Sequence, residues 1–294
     1  MEAYCTVPLA SNHWPAVVVR LDEDSFAIDT CLCFGLASLA GVHGIMGDAG
    51  VDLMRARGIG PLVKWVDDHL FFRLDREHVD MYNGFCCSWS EAIIRQGGQA
   101  QRGARLWFPG ESSPDGRQEE WAEDLHFPLQ NLPLRTPDQR HAYTMEDIDS
   151  YSAHLGIPWQ CLKDLPFSSK TTYLGFVWDL ATHTVALSEA KKAKYSRAID
   201  EWLQRHTHTL NELEQLYSKL LHASLVIPPG HAFVTGLEAM FPLYRHEPFK
   251  PRMPPRTVPR DLAWWALSLL SAPPFPVPTK EDFSDIDAFS SAFI

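Results

Sequence analysis

The chain has 294 residues, 45% of them apolar and 21% charged, and a formal net charge of −11. The length predicts two domains, or one with a long appendage, and the apolar share is enough for a sizeable core. The acidic balance excludes broad, non-specific nucleic-acid binding. No two of the six cysteines form the CxxC pair of a zinc ribbon, and the longest apolar stretch, 31–46, is too broken by Gly, Ser and His43 for a membrane span.

In chain order, 16–21 and 26–33 read as strands joined by an Asp22-Glu23-Asp24 turn. Residues 37–57 carry Val42, Ile45, Met46, Ala49 and Leu53 at helical spacing, stopped by Gly58 and Gly60. A hairpin follows, with strands near 61–66 and 69–74 around Asp67-Asp68. Residues 76–96 read as a helix and 105–108 as a short strand. The stretch 109–140, rich in Pro, Gly, Ser, Asp and Glu, has the composition of an exposed loop or partly disordered insert. A short helix is expected over 145–155, a strong strand over 172–179 and its partner over 184–187. Ser188 opens a helix with Tyr195, Ala198, Ile199 and Trp202 on one face. Thr209-Leu210-Asn211-Glu212 is a capping box before a second amphipathic helix. A third helix is expected over 236–244, a Pro/Arg-rich connector over 248–259 and a Trp-rich helix over 261–271. The order is mixed strand and helix to about residue 187, then all helix.

Charge follows the same division. Residues 1–186 hold 14 Lys+Arg against 25 Asp+Glu, 187–260 hold 11 against 7, and 261–294 hold 1 against 5. A basic segment, which also carries His206, His208, His222, His231 and His246, is thus embedded in an acidic chain. With no signal peptide ahead of it and no membrane partner implied, the chain is expected to be intracellular, cytoplasmic or nuclear.

The most informative stretch is Lys64-Trp65-Val66-Asp67-Asp68-His69-Leu70-Phe71-Phe72. Two adjacent ionised carboxylates repel each other and resist desolvation. A hairpin tip that presents them calls for water, a hydrogen-bond donor or a divalent cation. The cation reading makes the pair part of a two-metal phosphoryl-transfer site.

With these pieces in this order, residues 1 to about 270 resemble a reverse transcriptase, closest to the gypsy-type and DIRS-like retroelement (retrotransposon) polymerases and their divergent fungal versions. The box Trp65-Val66-Asp67-Asp68 is similar to the family's Tyr-x-Asp-Asp, with Trp for Tyr. Cys33-Phe34-Gly35-Leu36-Ala37-Ser38 resembles its Leu-Pro-Phe-Gly-Leu box, and Tyr173-Leu174-Gly175-Phe176 its primer-grip hairpin. The resemblance implies an α+β fold, with a ferredoxin-like polymerase palm sheet and helices followed by an all-helical thumb. It places the palm at 1–187 with an insertion about 98–145, the thumb at 188–247, and a connector with the start of a ribonuclease H domain at 248–294. Asp287 would be the first carboxylate of that last domain.

The same resemblance implies an RNA-directed DNA polymerase, a nucleotidyltransferase using two Mg²⁺ (or Mn²⁺) ions, a primed RNA or DNA template, and dNTPs. Asp67 and Asp68 would be the catalytic metal ligands, and Lys163 would protonate pyrophosphate, with Lys170 as its competitor. Tyr4 would be the ribose gate, while Phe34 and Gly35 would lie under the nucleotide. Leu174 and Gly175, with Lys191, Lys192, Lys194 and Arg197, would hold template and primer. Without the resemblance, Lys163 is an exposed loop lysine, 33–38 a strand-to-helix turn, 173–176 a core hairpin, and the basic run a solvated helix face.

Two departures bear on activity. The first motif's essential Asp, five residues before Tyr4, would fall ahead of Met1, so this polypeptide is expected to have little or no polymerase activity. The gap between Asp68 and Leu155 is longer than the family needs. The competing readings are a non-enzymatic, retroelement-derived nucleic-acid-binding or scaffold protein and an unrelated metal-dependent phosphohydrolase. The latter needs further carboxylates near Asp67, and Asp22, Glu23 and Asp24 are the ones that fold accident could supply.

Overall fold

The computed structural model describes residues 7–31, 39–95, 97, 99–100, 106–112, 118–123, 128–157, 159 and 163–277. The chain is mixed α and β with small antiparallel sheets. It divides into two compact units, Met1–Asp164 and Leu165–Ile294. The division falls before the strands of 170–187, which the sequence reading grouped with the first domain.

In the first unit, β1 (Val18–Arg20) and β2 (Phe26–Ile28) form an antiparallel hairpin. Its turn is closed by the Asp22 carboxylate, which accepts from the Asp24 and Ser25 amides at 3.0 and 2.8 Å. Helix α1 (Leu39–Ala56) follows. Gly58, at φ +83, ends it. The Gly58 amide bonds to Arg55 O and the Ile59 amide to Met54 O, and buried Ile59 and Met54 complete the hydrophobic contact of this stop. β3 (Leu62–Trp65) and β4 (Asp68–Phe71) then pair in register, with Trp65 opposite Asp68 and Lys64 opposite His69. Among the described residues, β1–β2 and β3–β4 are separate two-stranded ribbons.

Helix α2 (Val79–Arg95) leads to β5 (Gln99–Ala100), β6 (Leu106–Ser112) and β7 (Gln118–Glu123), an antiparallel three-stranded sheet. The loop expected over 109–140 therefore holds strand at 109–112 and 118–123, whereas 128–140 is loop and largely exposed, as expected, with Leu129 as its buried anchor. Asn83 brackets Leu129 with two hydrogen bonds, and the Leu132 and Ala142 amides bond to Ala142 O and Leu74 O, leaving Leu129, Ala142 and Tyr143 buried. The anchors of this loop are supplied by groups distant in sequence, the Asn83 side chain and the Ala142 carbonyl. Helix α3 (Met145–Leu155) opens on the Thr144/Asp147 capping box and closes at Gly156, φ +69.

In the second unit, the run 172–179 that reads as one strand is broken by the hairpin expected at 173–176, giving β8 (Lys170–Tyr173) and β9 (Phe176–Asp179). Positive φ at Leu174 (+53) and Gly175 (+84) reverses the chain between two runs of high strand propensity. β10 (Thr184–Leu187) extends the sheet, and β11 (Phe275–Pro276) completes the order β11-β10-β9-β8, so the region after 187 is not wholly helical. Helices α4 (Glu189–Leu203, capped by Ser188) and α5 (Leu210–Ser224, with the Thr209/Glu212 box) follow the predicted periodicities. The third helix expected over 236–244 is two short pieces, α6 (Thr235–Glu238) and a 3-10 turn Phe241–Tyr244, because Pro242 interrupts it. Helix α7 (Val258–Ser271) buries Leu262, Trp265 and Leu269 into one cluster with Phe176, Leu187, Ile199, Leu213 and Leu220.

Candidate functional site

The Asp67-Asp68 hairpin is fixed at its base and open at its tip. Beneath it, the guanidinium of buried Arg55 donates to Leu62 O at 2.7 Å, and Tyr143 donates its hydroxyl to Phe72 O at 2.6 Å. On β3, the Lys64 ammonium reaches α1, where it pairs with Asp48 at 2.9 Å and donates to Gly44 O at 3.0 Å. A Cβ on Gly47 would lie 2.9 Å from Lys64 Cδ, so glycine there lets the lysine stem cross the helix.

Strand alternation sends Leu62, Lys64, His69 and Phe71 to the inner face of the ribbon. Val63, Trp65 and Asp68 occupy the other face and are exposed, with Trp65 at 63%. The loop is only Val66-Asp67, and Val66 takes φ +55. A β-branched residue in that region is strained, and such strain persists where the surroundings over-determine the turn. The result places Asp67 on the tip and Asp68 at the first position of β4, both exposed.

Next in sequence, His69 turns its ring back on the turn. Nδ1 lies 3.1 Å from Asp67 O, and the ring meets Trp159 edge-on with centroids 5.0 Å apart. Burial pushes its pKa below the ordinary histidine value, opposed by the hydrogen bond to Asp67 O and assisted by the Lys64 charge. His69 sits inside the Lys64–Phe72 stretch without a sequence signal of its own, and nothing in the sequence points to Trp159, ninety positions away. Trp159 also packs on Phe71, at 6.2 Å, and Lys163 is exposed. Tyr4, Phe34, Gly35 and Asp287 lie outside the described residues.

Asp22 and Asp75, two of the alternative carboxylates, are engaged elsewhere. Asp22 closes its own turn, and its hydrogen bonds, chiefly from the Ser25 hydroxyl, hold it below the usual carboxylate range. Asp75, Glu77 and His78 bring ligand atoms within 4.8 Å of one another, but the Asp75 carboxylate already accepts from Arg140 at 2.5 Å and pairs with His141 at 2.9 Å. Lys170, the competitor of Lys163, pairs with Asp179 across the β8–β9 hairpin at 3.7 Å.

In the second unit, the Leu174-Gly175 turn, Lys191 and α5 form one cluster. Ser188 donates its amide to Gly175 O at 3.0 Å, and a Cβ on Gly175 would lie 2.5 Å from Lys191 Cε, so the lysine stem lies across the turn. His222 bonds to Leu174 O through Nε2 and to the Tyr195 hydroxyl through Nδ1, each at 3.0 Å, and stacks on Phe176 at 4.3 Å. Of the basic run, Lys192 is paired with Glu189 at 2.8 Å, whereas Lys194 and Arg197 are exposed. No ion pair involves Lys191, Lys194 or Arg197 among the described residues. Lys219 on α5 adds to this face. Burial, aided by the Lys194 charge, lowers its pKa. Its charge was counted in the basic segment, but only the α4–α5 packing sets it beside Lys194.

No known family model matches the chain, and no curated protein is significantly similar to it.

Proposed function

We propose that the chain is the palm and thumb portion of a reverse transcriptase of the gypsy-type/DIRS-like kind, with Asp67 and Asp68 as ligands for divalent metal. The observation that carries this reading is the strained two-residue turn, which holds adjacent carboxylates at an exposed tip above a buried, tied base. The residues fit a hard cation. Mg²⁺ takes oxygen donors and is commonly held by only one or two protein carboxylates, with substrate phosphates and water completing its shell.

Asp67 and Asp68 would hold such ions, whose chemistry would be activation of a primer hydroxyl and neutralisation of charge on pyrophosphate. The chain's own residues supply orientation. Asp67 and Asp68 present oxygen ligands, and Lys64, Arg55 and Tyr143 keep the ribbon from shifting beneath them. Lys163 is the proposed proton donor. The Leu174-Gly175 turn and the Lys191, Lys194 and Arg197 face are the proposed template–primer contacts, with Lys192 partly neutralised by Glu189. Lys191, Lys194 and Arg197 on α4, which have no ion pair among the described residues, equally support the second reading, a retroelement-derived protein that binds nucleic acid without catalysis.

Metal binding is the deciding measurement, because it reads Asp67 and Asp68 directly. Mn²⁺ titrated into the full chain and followed by electron paramagnetic resonance is expected to show binding that Asp67→Asn and Asp68→Asn each weaken. Equal binding by all three proteins would overturn the metal reading. Primer extension with Mg²⁺ or Mn²⁺ separates the enzyme from the binding protein. Charge reversal of Lys191, Lys194 and Arg197 should weaken nucleic-acid binding and flatten its salt dependence under either reading.

A further inference from the structure

The Asp67 carbonyl belongs to the peptide that joins the two carboxylate-bearing residues. In a two-residue hairpin loop this carbonyl stands outside the ladder, and here it faces His69 Nδ1 at 3.1 Å. A carbonyl only accepts, so Nδ1 carries the proton and donates. The ring is held in that pose from the sides. Trp159 meets it edge-on at 5.0 Å and 82°, and Phe71, two residues along the same strand, lies at 6.4 Å and 21°. Across the ribbon, its register partner Lys64 is tied to Asp48 and Gly44 of α1.

Charged groups acting on the ring are Lys64, Asp67 and Asp68. Both the Nδ1–H tautomer and the doubly protonated ring donate to Asp67 O through Nδ1.

We infer that His69 is the positioning residue of the carboxylate pair: its ring, wedged against Trp159, holds the peptide between Asp67 and Asp68 and so fixes how the two carboxylates face one another. The consequence for metal rests on the reading of the pair as metal ligands, whereas the clamp itself does not. Rotation of that one peptide plane swings the Asp68 carboxylate relative to Asp67. The strained φ at Val66 leaves the turn ready to relax once the clamp is gone. Partners that orient metal ligands in this way affect metal affinity by roughly 10–100-fold.

The test uses the full chain and two independent readouts. In the unmodified protein, the ¹⁵N shifts of the His69 ring are expected to report the Nδ1–H tautomer, the less favoured one for a free imidazole. The Nε2–H tautomer would overturn the proposal whatever the metal does. His69→Phe keeps the ring packing and removes the donor, and it should displace the Asp68 amide resonance and weaken Mn²⁺ binding roughly tenfold. His69→Asn, which retains an N–H near the Nδ1 position, should recover most of both. Unchanged Asp68 amide and Mn²⁺ affinity in His69→Phe would sink the positioning role. If Asp67→Asn leaves Mn²⁺ binding untouched, the metal reading fails instead, and the tautomer and the Asp68 amide still decide the clamp. If His69→Phe does not fold, the tautomer and the His69→Asn variant decide it.

Discussion

The two units hold their shape by different means. In Leu165–Ile294, one apolar cluster runs from Phe176 on the sheet through Ile199, Leu213 and Leu220 to Trp265 and Leu269. In Met1–Asp164, the strands around the carboxylate hairpin are held largely by polar ties to backbone carbonyls. Arg55 bonds to Leu62, Tyr143 to Phe72, Lys64 to Gly44 and Asn83 to Leu129. Their apolar faces stay partly exposed, as at Val63, Trp65 and Phe26. A ribbon that must present carboxylates to water cannot be buried on both faces. Directional bonds from one side therefore replace what packing from two sides gives the other unit.

That contrast breaks most visibly at Trp265. The side chain is fully buried, its Nε1 donates to Phe233 O at 3.2 Å, and it packs so closely that a Cβ on Gly230 would fall 2.2 Å from its ring. Trp265→Ala should cost about 4 kcal/mol through lost burial and a residual cavity. Hydrogen exchange resolved along the chain should show the loss in 165–294. An equal loss of protection in 1–164 would mean that the two units share one unfolding event.

A smaller effect is expected from a polar tie in the first unit. Tyr143→Phe removes only the hydroxyl that satisfies Phe72 O and leaves the packing in place. The carbonyl left without its partner makes the cost about 2 kcal/mol, read as faster exchange in 62–74. A change near zero would show that this unit is held by packing after all.

Smaller again is the helix cap of α5. Thr209→Ala should cost about 1 kcal/mol. The Glu212 carboxylate, held below the ordinary glutamate range by the Thr209 backbone and side chain and by Arg205, contributes stability that is present above the ordinary pKa. That contribution is lost as pH falls through the depressed value. Glu212→Gln should flatten the acid limb of the melting-temperature profile below about pH 4.5. An unchanged limb would remove the cap from the account.

Periodicity made the second unit readable in advance. The Tyr195–Ile199–Trp202 face and the Thr209 capping box announce α4 and α5 because each rests on residues a turn apart. The Leu174-Gly175 reversal was legible as a motif but not as a break in a run of strand formers, since a non-glycine residue at φ +53 leaves no mark in composition. In the first unit, Asp67 and Asp68 stood out because paired carboxylates between apolar runs are costly. What orients them did not, because Trp159 reaches His69 across ninety positions and Asn83 reaches Leu129 across 46. The packed part of 128–144 was hidden for the same reason. Its polar composition describes side chains, whereas its order comes from backbone groups paired with Asn83 of α2 and with Leu74 beyond β4.

The last and mildest effect concerns His222. Its neutral ring accepts from the Tyr195 hydroxyl at Nδ1 and donates to Leu174 O at Nε2. Protonation would turn Nδ1 into a donor facing that hydroxyl, on a half-buried ring beside Lys191. Burial first, and the Lys191 charge in addition, hold its pKa below the ordinary 6.5, against the opposing hydrogen bond to Leu174 O. Because the folded pKa is the lower one, the unfolded chain binds the proton more readily. Stability is therefore fully present above pH 6.5 and declines as pH falls toward the folded value. His208, stacked on Trp202 with centroids 3.5 Å apart and lowered chiefly by burial, acts in the same direction. His222→Gln should therefore reduce, without abolishing, the loss of stability of 165–294 between about pH 6.5 and 5. The first unit contains His69, lowered in the same way, so exchange resolved by unit separates the two sources. If His222→Gln matches the unmodified chain through that window, the ring is a packing element and the turn at Leu174 is held by the Ser188 amide and the Lys191 stem alone.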